Sequence, residues 1–288
     1  MRALLTTLFV TGAVIGLSFI TSVLLARVLG PEGRGLLLAV IFWPAMLAGI
    51  LNLSFNEAVA YHVAKGKREE REQEVLNAGY ALLVLLLLVA LPVCLMVLPL
   101  LLGQRHGEAQ MLALAYVLPF IPLTFADQFY RAVVQGRGQA NQLNGLRIAQ
   151  PLAYCVGLGV LVLIGQSIDV PWVLVIMLAA LGMGAMVGLW LSRIRPGRFS
   201  RASIGDLVRS GLSFHRVNLL LYSAAEFDKA LVLLFLTVRE AGLYAVALSV
   251  STIGAPSALK RAKSCRPGSI FGACGKRRAT SSERTSLT

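Results

Sequence analysis

Stretches of about twenty apolar residues recur along this chain, each about long enough to cross a hydrocarbon core near 30 Å thick. Eight are read from the sequence, at about 3–26, 36–60, 75–102, 110–134, 147–165, 171–191, 217–238 and 241–258. A segment in lipid must satisfy its backbone hydrogen bonds internally, so each run is expected to be a helix. The expected fold is an all-α polytopic membrane protein of about eight transmembrane helices. Composition agrees: 57% of the 288 residues are hydrophobic and 14% charged, against roughly 45–50% and 25% in soluble domains.

The net charge of +13 invites a nucleic-acid reading, but its placement points to membrane topology. Loops two, four and six carry thirteen Lys and Arg, whereas loops one, three, five and seven carry four. The positive-inside bias then puts the even loops and the N-terminus in the cytoplasm, with no nucleic-acid partner. Loop two, YHVAKGKREEREQEV, balances four bases with four acids and reads as a solvated helical extension. Loop six (192–216) is long and basic, and its part FSRASIGDLVRSGLSF has the pattern of a surface helix. RVLGPEGRG (27–35) and QGRGQANQLNGLRIAQPL (135–152) read as turns, and Pro119 and Pro122 are expected to kink or loosen span four.

The first apolar run exceeds the 7–15 residues of a secretory signal core, so it reads as a retained helix. Gly12-x-x-x-Gly16 and Gly184-x-x-x-Gly188 are weak signals of close helix approach. Cys94, Cys155, Cys265 and Cys274 form no CxxC pattern, and His62, His106 and His215 lie far apart. No metal site and no cofactor are therefore expected. After Pro256 the apolar pattern stops, and residues 260–288 hold eight bases and one acid. That tail reads as disordered and lipid-touching, and its abrupt change of composition suggests a truncated chain.

Polar residues inside apolar runs mark the candidate site. Each charge near the bilayer centre costs roughly 2.5–3.5 kcal/mol on insertion scales, so such residues usually face a bundle interior or a wet cavity. In HRVNLLLYSAAEFDK, His215, Asn218, Tyr222, Glu226 and Lys229 share an arc of about 80°, with Asp228 outside it. Two readings stand: a Glu226–Lys229 pair that neutralises itself and holds helices together, or a solvated pathway. In span four, Thr124, Asp127, Arg131 and Gln135 share a similar arc, and Asp127 and Arg131 are spaced to pair. Asn52 and Asn56 are spaced to share a face of span two, with Glu57 beside them at its interfacial end.

At LLARVLGPEGRGLLLAV (24–40), QGRGQANQLNGLRIAQPL (135–152) and SAAEFDKALVLLFLTVREAGLYAVALSVS (223–251), the chain resembles the polysaccharide transporters of the multidrug/oligosaccharidyl-lipid/polysaccharide exporter superfamily. These are flippases of lipopolysaccharide O-antigen and exopolysaccharide repeat units, built from two six-helix lobes around a central cavity. The resemblance implies a first lobe over 1–191, a linker over 192–216, the start of a second lobe over 217–258, and a tail over 259–288. It implies a place in the bacterial cytoplasmic membrane and movement of undecaprenyl-diphosphate-linked oligosaccharide by alternating access. It further implies that Lys229, Arg131 and Arg147 meet phosphate, that Asn52, Asn56, Asn218 and Tyr222 meet sugar hydroxyls, and that Glu226, Asp228 or Asp127 carries a coupling H⁺ or Na⁺. Membrane lipids and polysaccharide polymerase or assembly proteins are the implied partners. An echo supports two lobes: Gly35-Leu36 opens span two as Gly242-Leu243 opens span eight. Members of the family have more spans than this chain.

The rivals are an ion-coupled multidrug or cation exporter, a membrane enzyme and an inactive fragment. Mixed acids and bases in the stripes favour an anionic substrate over a cation. A glycan polymerase or ligase needs a large external loop, and the odd-numbered loops here are short. Without a P-loop, Rossmann fingerprint or nucleophile elbow, ATP-driven transport and an enzymatic role are not expected.

Overall fold

The computed structural model describes residues 2–66, 69–102, 107–164, 169–192 and 200–254. Among them are eight helices and no strand: α1 (Arg2–Leu51), α2 (Phe55–Lys65), α3 (Glu69–Leu102), α4 (Gly107–Gly136), α5 (Ala140–Ile164), α6 (Val170–Ser192), α7 (Arg201–Phe235) and α8 (Val238–Gly254). The described residues up to Ala247 pack as one compact unit, and 248–254, the described end of α8, fall outside it. The basic tail and its proposed truncation lie outside the described residues, as do His106, Cys265 and Cys274. Five helices, α1 and α3 to α6, are long and apolar enough to cross a membrane. The protein is an all-α polytopic membrane protein.

The apolar runs are divided between helices differently from the sequence expectation. The turn expected over 27–35 shrinks to one residue, because Gly30 alone leaves helical geometry, at φ 66°. Only glycine enters that region without a Cβ penalty, and Pro31 then starts the second leg where its missing N–H costs nothing. The run 36–60, read as one span, is broken: α1 ends at Leu51, and Leu53 and Ser54 adopt left-handed angles of φ 50° and 53° before α2 begins. The turn of 135–152 contracts to about Arg137–Gln139, with Gly138 at φ 71°. α4 runs unbroken through Pro119 and Pro122, so the two prolines do not end the helix there. Its neighbours enclose it on several sides, and that packing holds the helix across the missing donors.

α4 is the hub of the first unit and packs on α1, α2, α3, α5 and α6. Val117, Ile121, Phe125, Phe129 and Val133 are all at most 1% exposed, and they repeat every four residues along one stripe. Phe129 stacks on Phe55 of α2, with centroids 5.8 Å apart. Gly184 and Gly188 admit α4 closely: a Cβ at Gly188 would lie 2.7 Å from the Tyr130 Cβ. Gly12 and Gly16 face open space, so their spacing marks no contact within the chain. Arg137, just past α4, pairs with Glu72 of α3 at 2.7 Å and donates to the Ser192 carbonyl of α6 at 2.7 Å.

The expected surface helix and the seventh span are one helix. At 1.5 Å per residue, α7 runs about 50 Å, more than a hydrocarbon core requires. Ser200 caps its start by accepting from the Ala202 N–H at 3.1 Å. Its first half lies on α2 and α3: Ser203 donates to Glu74 at 2.8 Å, and His62 Nε2 sits 2.9 Å from Ser210 Oγ. Burial, aided by Lys65 and Arg71, holds the His62 pKa below the ordinary histidine value despite Asp206 nearby. Protonation therefore opposes this contact: it is fully formed above about pH 6.5 and weakens as pH falls below that value. Hydrogen exchange of the 201–211 amides, corrected for intrinsic rates, should speed up between pH 7.5 and 5.5. His62→Gln should flatten that response, and an unchanged response would remove His62 as its cause.

Candidate functional site

The break at residues 52–54 sends the two asparagines to different places. Asn52, 5% exposed, turns into the first unit and hydrogen-bonds Gln128 of α4. Asn56 lies in the first turn of a new helix, so the face expected of the pair does not exist. A straight helix would have placed them together; the left-handed turn at Leu53 and Ser54 rotates them apart.

The polar stripe of α7 meets this break. Asn218 donates to Ser54 Oγ at 3.0 Å, with Glu57 and His215 nearby. One turn on, Tyr222 donates to the Ala45 carbonyl at 3.2 Å. Its ring fills the space that Gly49 leaves, since a Cβ there would lie 2.8 Å from the Tyr222 Cζ. Glu226 and Lys229 follow, paired at 2.6 Å, with both side chains 23% exposed. Asp228 lies off the stripe, exposed, and accepts from the Tyr244 hydroxyl of α8. α7 thus runs antiparallel to the second leg of α1 along a seam with amides and acids at one end and an ion pair further along.

Asp127 and Arg131 form a separate cluster. They pair at 2.7 Å within α4, and Arg131 donates to Gln150 of α5 at 2.9 Å. A Cβ on Gly184 would lie 3.1 Å from Asp127 Oδ1, so α6 covers the carboxylate. Asp127 Oδ1, Thr124 Oγ1 and Asn52 Oδ1 are buried without a hydrogen-bond partner. Arg147 lies exposed on α5.

The structure brings Asn56, Asn218 and Tyr222 to the α1–α2–α7 seam, with the Glu226–Lys229 pair one to two turns further along α7. It keeps Asn52, Asp127 and Arg131 in the packing around α4. Sequence reasoning took Glu57 as interfacial and passed over Ser54, Gln150 and Tyr244. Proximity of Glu57 to Asn56 was the only available signal for it. Among the described residues no group of three His, Cys, Asp or Glu is placed to hold a metal ion.

No curated protein matches the chain in sequence. Its fold is similar to solved structures described as the inward-facing conformation of a multidrug resistance MATE family transporter of the MOP superfamily (TM-score 0.65, 17% identity, 84% of this chain and 58% of that one). It is also similar to a MOP superfamily transporter from Pyrococcus furiosus with a binding pocket of reversed polarity (TM-score 0.56, 19% identity, 86% and 62%). An outward-facing MATE transporter is similar too (TM-score 0.57, 19% identity, 87% and 59%). The chain thus spans less than two thirds of each of these structures. The model of a family described as polysaccharide biosynthesis protein matches residues 2–257, nearly all the described helices, and the chain belongs to that family.

Proposed function

We propose that this chain carries lipid-linked oligosaccharide repeat units, borne on undecaprenyl diphosphate, across the bacterial cytoplasmic membrane by alternating access. The observation that carries the reading is the half-exposed seam of α7, where Lys229 and Glu226 follow Asn218 and Tyr222 within the helix's apolar half. A diphosphate-linked glycan presents anionic oxygens and many hydroxyls. Lys229 supplies a cation for the former, and Asn218, Tyr222 and Asn56 supply hydrogen bonds for the latter. Glu226, released when substrate takes Lys229, is the group that binds a coupling H⁺ or Na⁺. Membership in a polysaccharide biosynthesis family supports a glycan cargo. The charge bias of the loops supports a cytoplasmic N-terminus. Asp127, Arg131 and Asn52 are assigned to holding the first lobe together, and Asp228 to the α7–α8 contact.

Complementation of a bacterium lacking its repeat-unit flippase tests this. The wild-type chain should restore surface polysaccharide. Lys229→Ala should cut the restored amount about tenfold or more at equal membrane abundance, the effect of losing one charge-assisted contact. No rescue by wild-type protein that is correctly inserted would overturn the reading. Equal rescue by Lys229→Ala and Glu226→Ala would remove the seam as the site. Drug resistance without polysaccharide would favour the multidrug alternative.

A further inference from the structure

Two glycines from opposite ends of the sequence meet within the first unit. A Cβ built on Gly35 would lie 1.7 Å from the Val238 carbonyl oxygen, and one built on Gly242 would lie 1.8 Å from the Pro31 carbonyl oxygen. Each glycine therefore approaches the carbonyl of the residue four positions before the other. That is the signature of a local two-fold, in which one surface meets its own counterpart. The sequence repeats it: Pro31 to Gly35-Leu36 and Val238 to Gly242-Leu243 have the same spacing, each at the start of a helical segment. Beside the crossing, Ala241 is 1% exposed, whereas Leu243 on the outer face is 57% exposed. The contact is backbone on backbone, so no side-chain rotation can relieve an added methyl.

The crossing also has a defined place on the seam. α7 meets α1 and α2 at Ser54 through Asn218 and at Ala45 through Tyr222. The chain then returns at Val238 to meet α1 at Gly35, the far end from Asn218. We infer that Gly35 and Gly242 are positioning residues of the transport cycle, closing the end of the α1–α7 seam opposite the basic loops by direct backbone contact. This rests on the transport reading for its purpose, but the contact is measurable without any substrate.

The test uses the full chain in membrane vesicles, with Cys94, Cys155, Cys265 and Cys274 replaced and one cysteine introduced at Ala241→Cys. A membrane-impermeant maleimide is the probe. Ala241→Cys should react slowly alone and about tenfold faster with either Gly35→Ala or Gly242→Ala, since overpacking a tight contact forces it apart. The two substitutions combined should add little beyond either one, because the first already separates the backbones. Leu243→Cys should label rapidly in every background and so shows that the reagent reaches this end of α8, while slow Ala241→Cys labelling in the Gly12→Ala background shows that the fold is kept. Gly12→Ala, which meets open space, is the control and should leave Ala241→Cys slow. Unchanged labelling in both glycine variants overturns the inference, as does equal acceleration by Gly12→Ala. Expected labelling combined with failed complementation by the wild-type chain would leave this contact standing and overturn only the proposed cargo.

Discussion

Arg131→Met should lower the thermal unfolding midpoint of the detergent-purified protein by on the order of 10 °C. Asp127 is 6% exposed, and Arg131 is its ion-pair partner at 2.7 Å. Removing one member of a buried pair leaves an uncompensated charge, which typically costs about 3–5 kcal/mol. The same substitution strips Gln150 of its donor, so α4 and α5 lose a link as well. Asp127→Leu combined with Arg131→Met should regain most of the loss, since removing both charges leaves neither stranded. A midpoint that stays within a degree or two in the single variant would show that the pair contributes little. Failure of the double variant to recover would place the effect in shape rather than charge.

Phe129→Ala should be the most damaging apolar truncation in the first unit. Phe129 is fully buried, stacks on Phe55 and fills the space that Gly79 leaves, where a Cβ would lie 2.9 Å from its Cε2. Large-to-small changes at such aromatic sites cost about 3–5 kcal/mol in water-soluble cores. In a membrane the transfer part is smaller, because lipid tails are as apolar as the core, and the lost packing remains. A cost of about 2–3 kcal/mol is expected, read as a lower unfolding midpoint and reduced membrane abundance. Gly79→Ala combined with Phe129→Ala should recover part of it by returning volume to the void. A Phe129→Ala protein as stable as wild type would mean that the helices around α4 collapse freely onto the gap.

The helices were readable because apolar runs of bilayer length admit few other structures. What the runs could not show is where a helix bends within one. Gly30 and Pro31 announced a turn, but nothing in the residues said that a single kink would suffice. The break at Leu53 and Ser54 carries neither glycine nor proline and had no local signal. The seventh run and the polar stretch before it proved continuous, because Gly205 and Gly211 sit inside a helix that packing supports. Within the candidate site, Asp127–Arg131 and Glu226–Lys229 were legible, since spacings of four and three set neighbours on one helix. Ser54, Gln128, Gln150 and Tyr244 were not, because each answers a residue on another helix. No sequence periodicity states which faces of two helices will oppose each other.

Arg137 ties three helices of the first unit together at one end. Its guanidinium fastens the start of α3 through Glu72 and the last carbonyls of α6 through Ser192, while its own backbone closes α4. Three rods riveted at one end cannot slide past one another, although they can swing together. α7 is fastened differently, by polar contacts spaced along its length together with the buried Leu207 and the Tyr222 ring seated at Gly49.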